Sequence, residues 1–498
     1  MASLASPSPA ADARADARRD MPSDAHPLAL TNALRAVVGA AQVLARPATL
    51  HVYRSDALPG LRALPSLAVF PATRDELIDV MRVLASHGAP FVARGAGTGL
   101  SGGALADGIT LVGLHRMRRI LALDPVARTA TVEPGVVNAT LTRAAAAHGL
   151  HYAPDPSSQA ACTIGGNIAE NAGGPHCLKY GVTLDHVVAA TVVLPDGEVV
   201  TLDRGEAGGY DLLGAFVGSE GCFGVVVDVT VRLTPDPERI VTLLADFTSI
   251  DAAADATSQV VAAGIVPAAL ELMDAATIGA VESSVYAAGY PRDAAAVLLV
   301  EVDGATDGVE ADVTHLSALL RDAGARGVRV AHDPADRARL WQGRKKAFGA
   351  MGRIAPHLVV QDAVVPRTRL AELLRTIEGI GARHGVRVCN VFHAGDGNLH
   401  PNIPCDTDDP AEAKRVHAAM TEIMTACIAA GGSITGEHGV GIDKLGYMDA
   451  LFTPATLDAM CRLRDVFDPA RRSNPGKAVP VHACREWHAV PAARRRLA

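Results

Sequence analysis

Apolar residues recur at helical spacing from Leu28 to Leu44, which predicts a helix. Leu67-Ala68-Val69-Phe70-Pro71 predicts a strand. Thr73-Arg74-Asp75-Glu76 has the spacing of a capping box and opens a helix that ends near Gly88. Phe91-Val92-Ala93 predicts the next strand, so a βαβ-like unit leads into a glycine-rich segment. Near Pro235 the texture changes. Strand and helix patterns alternate: Val241 to Phe247, a helix from Ile250, Val297 to Val302, a helix from Val309 to Ala323, and Gly327 to Ala331. A second round runs from Val359 through a helix at Arg367 to His384 into Val386 to Phe392. These rounds predict a second domain, a sheet with helices packed on one side. A helix from Ala411 to Ala430 follows, then one near Pro454 to Phe467 that runs into Asn474-Pro475-Gly476-Lys477.

Length and composition narrow the class. A chain of 498 residues exceeds one ordinary core, so two or three domains are expected. The 49% apolar content supports burial, and a net charge of −8 gives no reason to expect nucleic acid binding. The eight cysteines (162, 177, 222, 389, 405, 427, 461 and 484) form no Cys-x-x-Cys pair, which argues against an iron–sulfur cluster or zinc ribbon in this chain. Scattered single cysteines fit free thiols in a reducing compartment. No apolar run reaches the ~18 residues of a membrane span. The first 25 residues, rich in Ala, Ser, Asp, Arg and Pro, read as a disordered extension and not as a secretory signal. A cytoplasmic location follows, with docking at the inner membrane through partners left open.

Three glycine-rich segments carry the first candidate chemistry. Arg94-Gly-Ala-Gly-Thr-Gly-Leu-Ser-Gly-Gly103 contains the dinucleotide spacing Gly97-x-Gly99-x-x-Gly102. A Rossmann loop opens a helix and is followed about 20 residues later by an acidic residue, and this one does neither. The better reading is a non-helical loop whose successive N–H groups wrap a pyrophosphate. Asp155-Pro-Ser-Ser158 with Thr163 to Gly174, and Gly218-Ser-Glu-Gly-Cys-Phe-Gly224, offer similar close passage along a flat polar ligand. Three such loops near strand ends suggest one extended ligand.

The second candidate is His393-Ala-Gly-Asp-Gly-Asn-Leu-His400. Gly-Asp-Gly-Asn is strong turn chemistry between apolar runs. Read as a hairpin with those four residues at its tip, it sets Ala394 opposite Leu399 and His393 opposite His400. Two imidazoles so placed can share a metal ion. Gly436-Glu437-His438-Gly439 adds a carboxylate and a third imidazole. Two histidines and one carboxylate with a further histidine alongside form a catalytic constellation. On these residues alone, a metallohydrolase that activates water is a competing reading, but it leaves the glycine loops without a role.

These motifs together, from about residue 30 to 485, resemble the D-2-hydroxyacid dehydrogenases of the vanillyl-alcohol oxidase (type 4 FAD-binding) flavoprotein superfamily. The resemblance is to the group that includes the FAD-linked glycolate oxidase subunits. It implies an α+β fold: a two-subdomain FAD-binding domain of the PCMH type, and a cap with an antiparallel sheet and ferredoxin-like repeats. The expected boundaries are 1–27 for the extension, 28–236 for the FAD domain, 237–460 for the substrate and cap domain with the metal site, and 461–498 for a segment returning to the FAD domain. The resemblance assigns Arg94, Gly95, Ala96, Gly97, Thr98, Gly99 and Ser101 to the pyrophosphate. It assigns Pro134, Gly135, Asp155, Ser158, Gly165, Gly166, Asn167, Ala172 and Gly173 to the flavin and ribityl chain. Glu220, Gly221 and Val226 go to the adenosine end, and Asn474 to the isoalloxazine. Arg94 to Gly103 holds no His or Cys, so FAD is expected to be noncovalent.

The resemblance further implies that His393, His400 and Glu437 hold a divalent ion, that His438 is the general base, and that Arg344 grips a substrate carboxylate. Zinc suits two His and one carboxylate, with manganese or iron as alternatives. The implied reaction is metal-assisted hydride transfer from a short 2-hydroxy acid to flavin, yielding the 2-oxo acid. The 2-hydroxyglutarate members carry a Lys shortly before an Asp, and Val359-Val360-Gln361-Asp362 lacks it. That favours a short substrate, glycolate or D-lactate. Electrons then pass to partner subunits or a quinone. The implied partners are a second FAD-domain subunit and an iron–sulfur subunit. A non-catalytic scaffold subunit would be marked by a lost base or ligand, and none is lost.

Overall fold

The computed structural model describes residues 25–204 and 209–479. The expected extension up to residue 24, and Cys484, lie outside the described residues.

Three larger sheets and a two-stranded one organise the described residues. The first has the order Val43–Leu44, Leu67–Val69, Thr110–Gly113, Phe91–Arg94. Thr110–Gly113 sits between the two strands of the expected βαβ unit and is parallel to both. The helix Arg74–Ser86 packs on this sheet through Leu77, Val80, Met81 and Leu84. It starts as the spacing predicts: Thr73 Oγ1 accepts from Glu76 N–H, while the Glu76 carboxylate reaches back to Ala72 N–H. The helix expected from Leu28 to Leu44 is shorter. It runs Ala25–Val38 and ends at Gly39, whose φ of +83° breaks it. Val43–Leu44 instead pairs with Leu67–Val69, so sheet pairing overrides local periodicity.

The second sheet is antiparallel, with five strands spanning Ile120–Asp124 to Val225–Arg232. Its core includes Val132, Val192, Val229 and Val231. The segment 155–174 is not all loop. Thr163 caps a helix, Ile164–Glu170, that ends at Asn171 in the left-handed region.

The third sheet holds two similar halves. Arg239–Phe247, helix Ile250–Ala262, Ala269–Asp274, Ala296–Gly304, helix Thr306–Asp322 and Gly327–Val330 form a β-α-β-β-α-β unit. Across the sheet its strands stand fourth, first, third, second, the ferredoxin-like arrangement. Ala363–Val364, helix Leu370–His384, Cys389–His393, Asn398–Leu399 and helix Pro410–Ala429 repeat it, and Ser433 closes the second unit by bridging to Val364. The halves join where Ala269–Asp274 pairs with Cys389–His393. This is the α+β cap expected above, with one correction. The four repeat helices cover one face, but Ala275–Glu282, Pro334–Lys345 and Ala347–Met351 cover the other. The run Ala296-Val-Leu-Leu-Val-Glu-Val302 is apolar apart from Glu301 and does not alternate, because both of its faces are buried.

The chain then returns to the first sheet. Ser473 bridges Phe91 in parallel, and Asn474 N–H donates to Phe91 O at 2.8 Å. Phe467 stacks on Phe223 with centroids 4.6 Å apart, fixing the last helix, Pro454–Phe467, to the second sheet.

Candidate active site

A cavity of about 690 Å³ runs from the first glycine loop to the histidine cluster. Arg94, Gly95, Ala96, Gly97, Thr98 and Gly99 line one end. The Arg94 guanidinium is spent on the backbone, donating to Ser55 O at 2.7 Å. Gly97 has φ +69°, and a Cβ there would collide with that guanidinium. A Cβ at Gly99 or Gly221 would meet no protein atom within 4 Å, so bare backbone faces the open cavity. Among the described residues, no acceptor takes the N–H groups of Ala96, Gly97, Thr98 or Gly99. Successive free N–H groups on a cavity wall fit an anionic pyrophosphate.

Ser158, Gly165, Gly166, Asn167, Ala172, Glu220, Gly221 and Val226 also line the cavity. Ser101, Pro134, Gly135, Asp155, Gly173 and Asn474 do not. Ser101 Oγ donates to His438 O at 2.9 Å, and Gly165 N–H donates to Pro134 O at 2.8 Å. Asn474 Nδ2 donates to Gly103 O (3.1 Å) and Glu220 O (2.6 Å), bracing two loops from behind. A Cβ at Gly173 would press on Glu437 Oε2 and Cys177 Sγ.

The other end of the cavity is built on the second ferredoxin-like half. The hairpin register differs from the expected one by two residues. His393 pairs with Asn398, and the turn is Ala394 to Gly397, with Asp396 accepting from Asn398 N–H. Gly397, at φ +78°, permits the turn at this position. A two-residue shift keeps the facing of every side chain. His393 and His400 therefore still share a face as diagonal neighbours, with ring centroids 5.2 Å apart.

Nε2 of His393 and Nε2 of His400 both point at Glu437 Oε1, at 3.2 and 3.1 Å. Their Nδ1 atoms face fixed acceptors, Glu271 Oε1 at 2.7 Å and Gln361 O at 3.1 Å. Those acceptors require protons on both Nδ1 atoms. In neutral rings, both Nε2 lone pairs then face an acceptor-only carboxylate. A cation between the three donors would resolve that conflict, and His393, His400 and Glu437 could hold a divalent ion. Burial pulls the His393 pKa down, but Glu271 and Glu437 outweigh it and hold it well above the usual range. Burial would raise the Glu437 carboxyl, yet His393 and His400 keep it well below the usual range. Arg344 offsets Glu271 and Lys444 offsets Asp362, which leaves Glu437 as the carboxylate that a proton on His393 or a bound cation would balance.

His438 stacks on His400 with centroids 5.0 Å apart and lines the cavity. Burial pushes its pKa down to about 4. The loop that carries it is shaped by Asp362, a fully buried carboxylate. Asp362 accepts from Thr435 Oγ1, the N–H groups of Gly436, Glu437 and His438, and Lys444 Nζ at 3.0 Å. Arg344 is 1% exposed, and its Nε and Nη2 sit 2.6 and 2.5 Å from Glu271 Oε2. Glu271 thus ties Arg344 to His393.

The comparisons with known proteins agree with this architecture. Residues 65–203 match an FAD binding domain, and residues 236–478 match the C-terminal domain of FAD linked oxidases. The glycolate oxidase subunit GlcD of Escherichia coli K12 is 44% identical over 92% of this chain and 92% of its own. The chain belongs to the FAD-linked oxidase family. Within that family, the glycolate oxidase subunit GlcD of Bacillus subtilis is 41% identical over 86% of this chain and 91% of its own. A D-lactate dehydrogenase of Anaerostipes hadrus is 33% identical over 84% of this chain and 90% of its own. Among solved structures, p-cresol methylhydroxylase with substrate bound superposes with a TM-score of 0.77 at 15% identity, covering 92% of this chain and 97% of its own. At that identity the likeness shows the fold. As a family member the chain is an FAD-dependent oxidoreductase.

Sequence reasoning missed several groups of this FAD-linked oxidase site. Asp362 and Glu271 carry no motif. Their signal was a lone carboxylate in an apolar run, within a strand for Glu271 (Ala268-Ala-Leu-Glu271-Leu-Met273) and between two strands for Asp362. Lys444, Tyr286, Phe348 and Cys162 had none; Tyr286, Phe348 and Cys162 line the cavity.

Proposed function

We propose that this chain is the FAD-bearing subunit of a 2-hydroxyacid dehydrogenase, with glycolate as first substrate and D-lactate as second. The reading rests on one observation: the cavity continues unbroken from the free N–H groups of the glycine loop to His393, His400, Glu437 and His438. FAD, when bound, supplies the two-electron acceptor, and a divalent cation on His393, His400 and Glu437, zinc by donor type, supplies Lewis acidity.

The chain's own residues do the rest. Arg344 keeps its Nε and Nη2 on Glu271 and presents its outer edge, Nη1 and the second Nη2 hydrogen, to a substrate carboxylate. His438 takes the hydroxyl proton. Burial keeps the ring neutral, and so with a free lone pair, at physiological pH. Tyr286, Phe348, Leu358 and Val360 add apolar wall beside Lys345 and Lys346, and the short-acid assignment rests on the absence of a lysine just before Asp362. FAD is held noncovalently.

GlcD relatives are named as subunits, so electrons leave through partners, a second FAD-domain subunit and an iron–sulfur subunit in this reading. No helix among the described residues is long and apolar enough to cross a membrane. Work in the cytoplasm, with peripheral attachment through those partners, is part of the same proposal. Anaerobic mixing of the purified protein with glycolate, D-lactate and D-2-hydroxyglutarate tests it. Glycolate or D-lactate should bleach the flavin; bleaching by D-2-hydroxyglutarate alone would reject the short-acid assignment.

A further inference from the structure

His176 lies outside the cavity wall, between the cofactor-binding part and the cap. Its Nδ1 is 3.0 Å from Asp155 Oδ1, and its Nε2 is 3.3 Å from Glu301 Oε1. Both carboxylates only accept, so the ring donates from both nitrogens as an imidazolium. Glu301 is 1% exposed and stands in the middle of the cap sheet. Besides His176 it receives Arg337 through Nε and Nη2, both at 2.8 Å, and Trp341 Nε1 at 2.5 Å. The Trp341 ring also lies against the imidazole, with centroids 5.6 Å apart.

Arg337, Trp341 and Arg344 follow one another at four and three residues on the helix Pro334–Lys345, so they share a face. Glu301 pairs with Ala269, and Glu271 is two residues further along that strand, so both carboxylates share one face of the sheet. The same helix is therefore gripped twice. Glu301 holds its middle and connects it to His176. Glu271 holds Arg344 and connects it to His393. Lys345, the next residue, reaches back to Asp155 at 3.3 Å.

We propose that His176 is a positioning residue for Arg344: clamped between Asp155 and Glu301, it fixes the helix Pro334–Lys345 over the cavity so that Arg344 stands at the correct distance from the cofactor to receive a substrate carboxylate. This rests on the reading of Arg344 as the carboxylate anchor. Lost clamping loosens the placement of a binding group and leaves the proton-accepting His438 untouched. The effect belongs to substrate binding, not to the chemical step.

The test uses the full-length holoenzyme and two variants at opposite ends of Glu301, His176→Gln and Arg337→Met. Each should raise KM for the oxidised acid roughly ten-fold with kcat within about two-fold. Each should weaken by a similar factor the binding of oxalate, followed from the flavin spectrum. Amide hydrogen exchange of 334–345 should rise, while that of 370–384 stays constant. Unchanged KM and oxalate binding in both variants, whatever the exchange shows, would reduce the clamp to a structural tie and overturn the proposal. A KM effect in His176→Gln with Arg337→Met silent would overturn it as well, because the route through Glu301 would carry nothing. If no 2-hydroxy acid bleaches the wild-type flavin, the activity reading fails by itself, and oxalate binding with exchange still decides the positioning claim.

Discussion

His438 shows how a single residue acquires a role from its surroundings. A free imidazole, with a pKa of about 6.5, would be partly protonated at neutral pH. Burial takes this one down to about 4 and leaves it neutral. His438→Ala should therefore keep FAD and metal, yet slow flavin reduction by substrate by about 10²–10⁴, the usual worth of a general base. Stopped-flow bleaching and elemental analysis check this. Glu437→Ala should instead lose the metal, because its Oε1 is where both Nε2 atoms converge. Metal release from His438→Ala, with normal reduction once metal is restored, would exchange the two roles. Asp362 acts through its neighbours. It pairs with buried Lys444 and gathers three successive N–H groups, so Asp362→Asn would turn an amide donor toward donors and strand the lysine. A loss of roughly 3–5 kcal/mol is expected in urea unfolding, the cost of breaking a buried pair. A change below about 1 kcal/mol would mean that the loop holds without it.

At the scale of elements, the helix Pro334–Lys345 is held more by carboxylates than by propensity. His176 makes that hold sensitive to pH. Burial lowers its pKa, but Asp155 and then Glu301 outweigh burial and raise it to about 10. A pKa raised above the unfolded value contributes stability that is complete below about pH 6.5 and is lost as pH climbs toward 10. Asp155 and Glu301 remain anionic throughout, since both are held below the usual carboxylate range, and Arg337 and Lys345 are the other charged groups on the clamp. The melting temperature of wild type should thus exceed that of His176→Gln most near about pH 6, with the gap closing by about pH 10. A gap that is constant with pH would mean the ring is neutral in the fold.

At the scale of the whole molecule, the glycine-loop end and the histidine end of the cavity are built by different sheets. The two ligands should therefore separate. His393→Ala and His400→Ala should each lose metal by elemental analysis while retaining yellow FAD. Acid precipitation should release that FAD to the supernatant. Full metal content in either variant would refute a shared site, and colour kept in the pellet would point to a covalent link. Cys162, in the cavity wall, would be the first residue to examine.

The sequence by itself determined the glycine loops, the His393 to His400 and Glu437-His438 motifs, and most cap helices. These depend on local chemistry: turn residues, caps and 3.6-residue periodicity. The family followed from the same motifs. Only the tertiary structure decided the hairpin register, since a two-residue shift leaves the pattern of faces unchanged and so leaves no trace in the sequence. It alone brought in Asp362, Glu271 and His176, because a buried carboxylate or imidazole is defined by partners 70 to 120 or more residues away, as Glu271 is by Arg344 and His393. It also decided that the cap sheet is covered on both faces. An unbroken apolar strand signals that both faces are buried, but which elements bury them depends on how the whole chain packs.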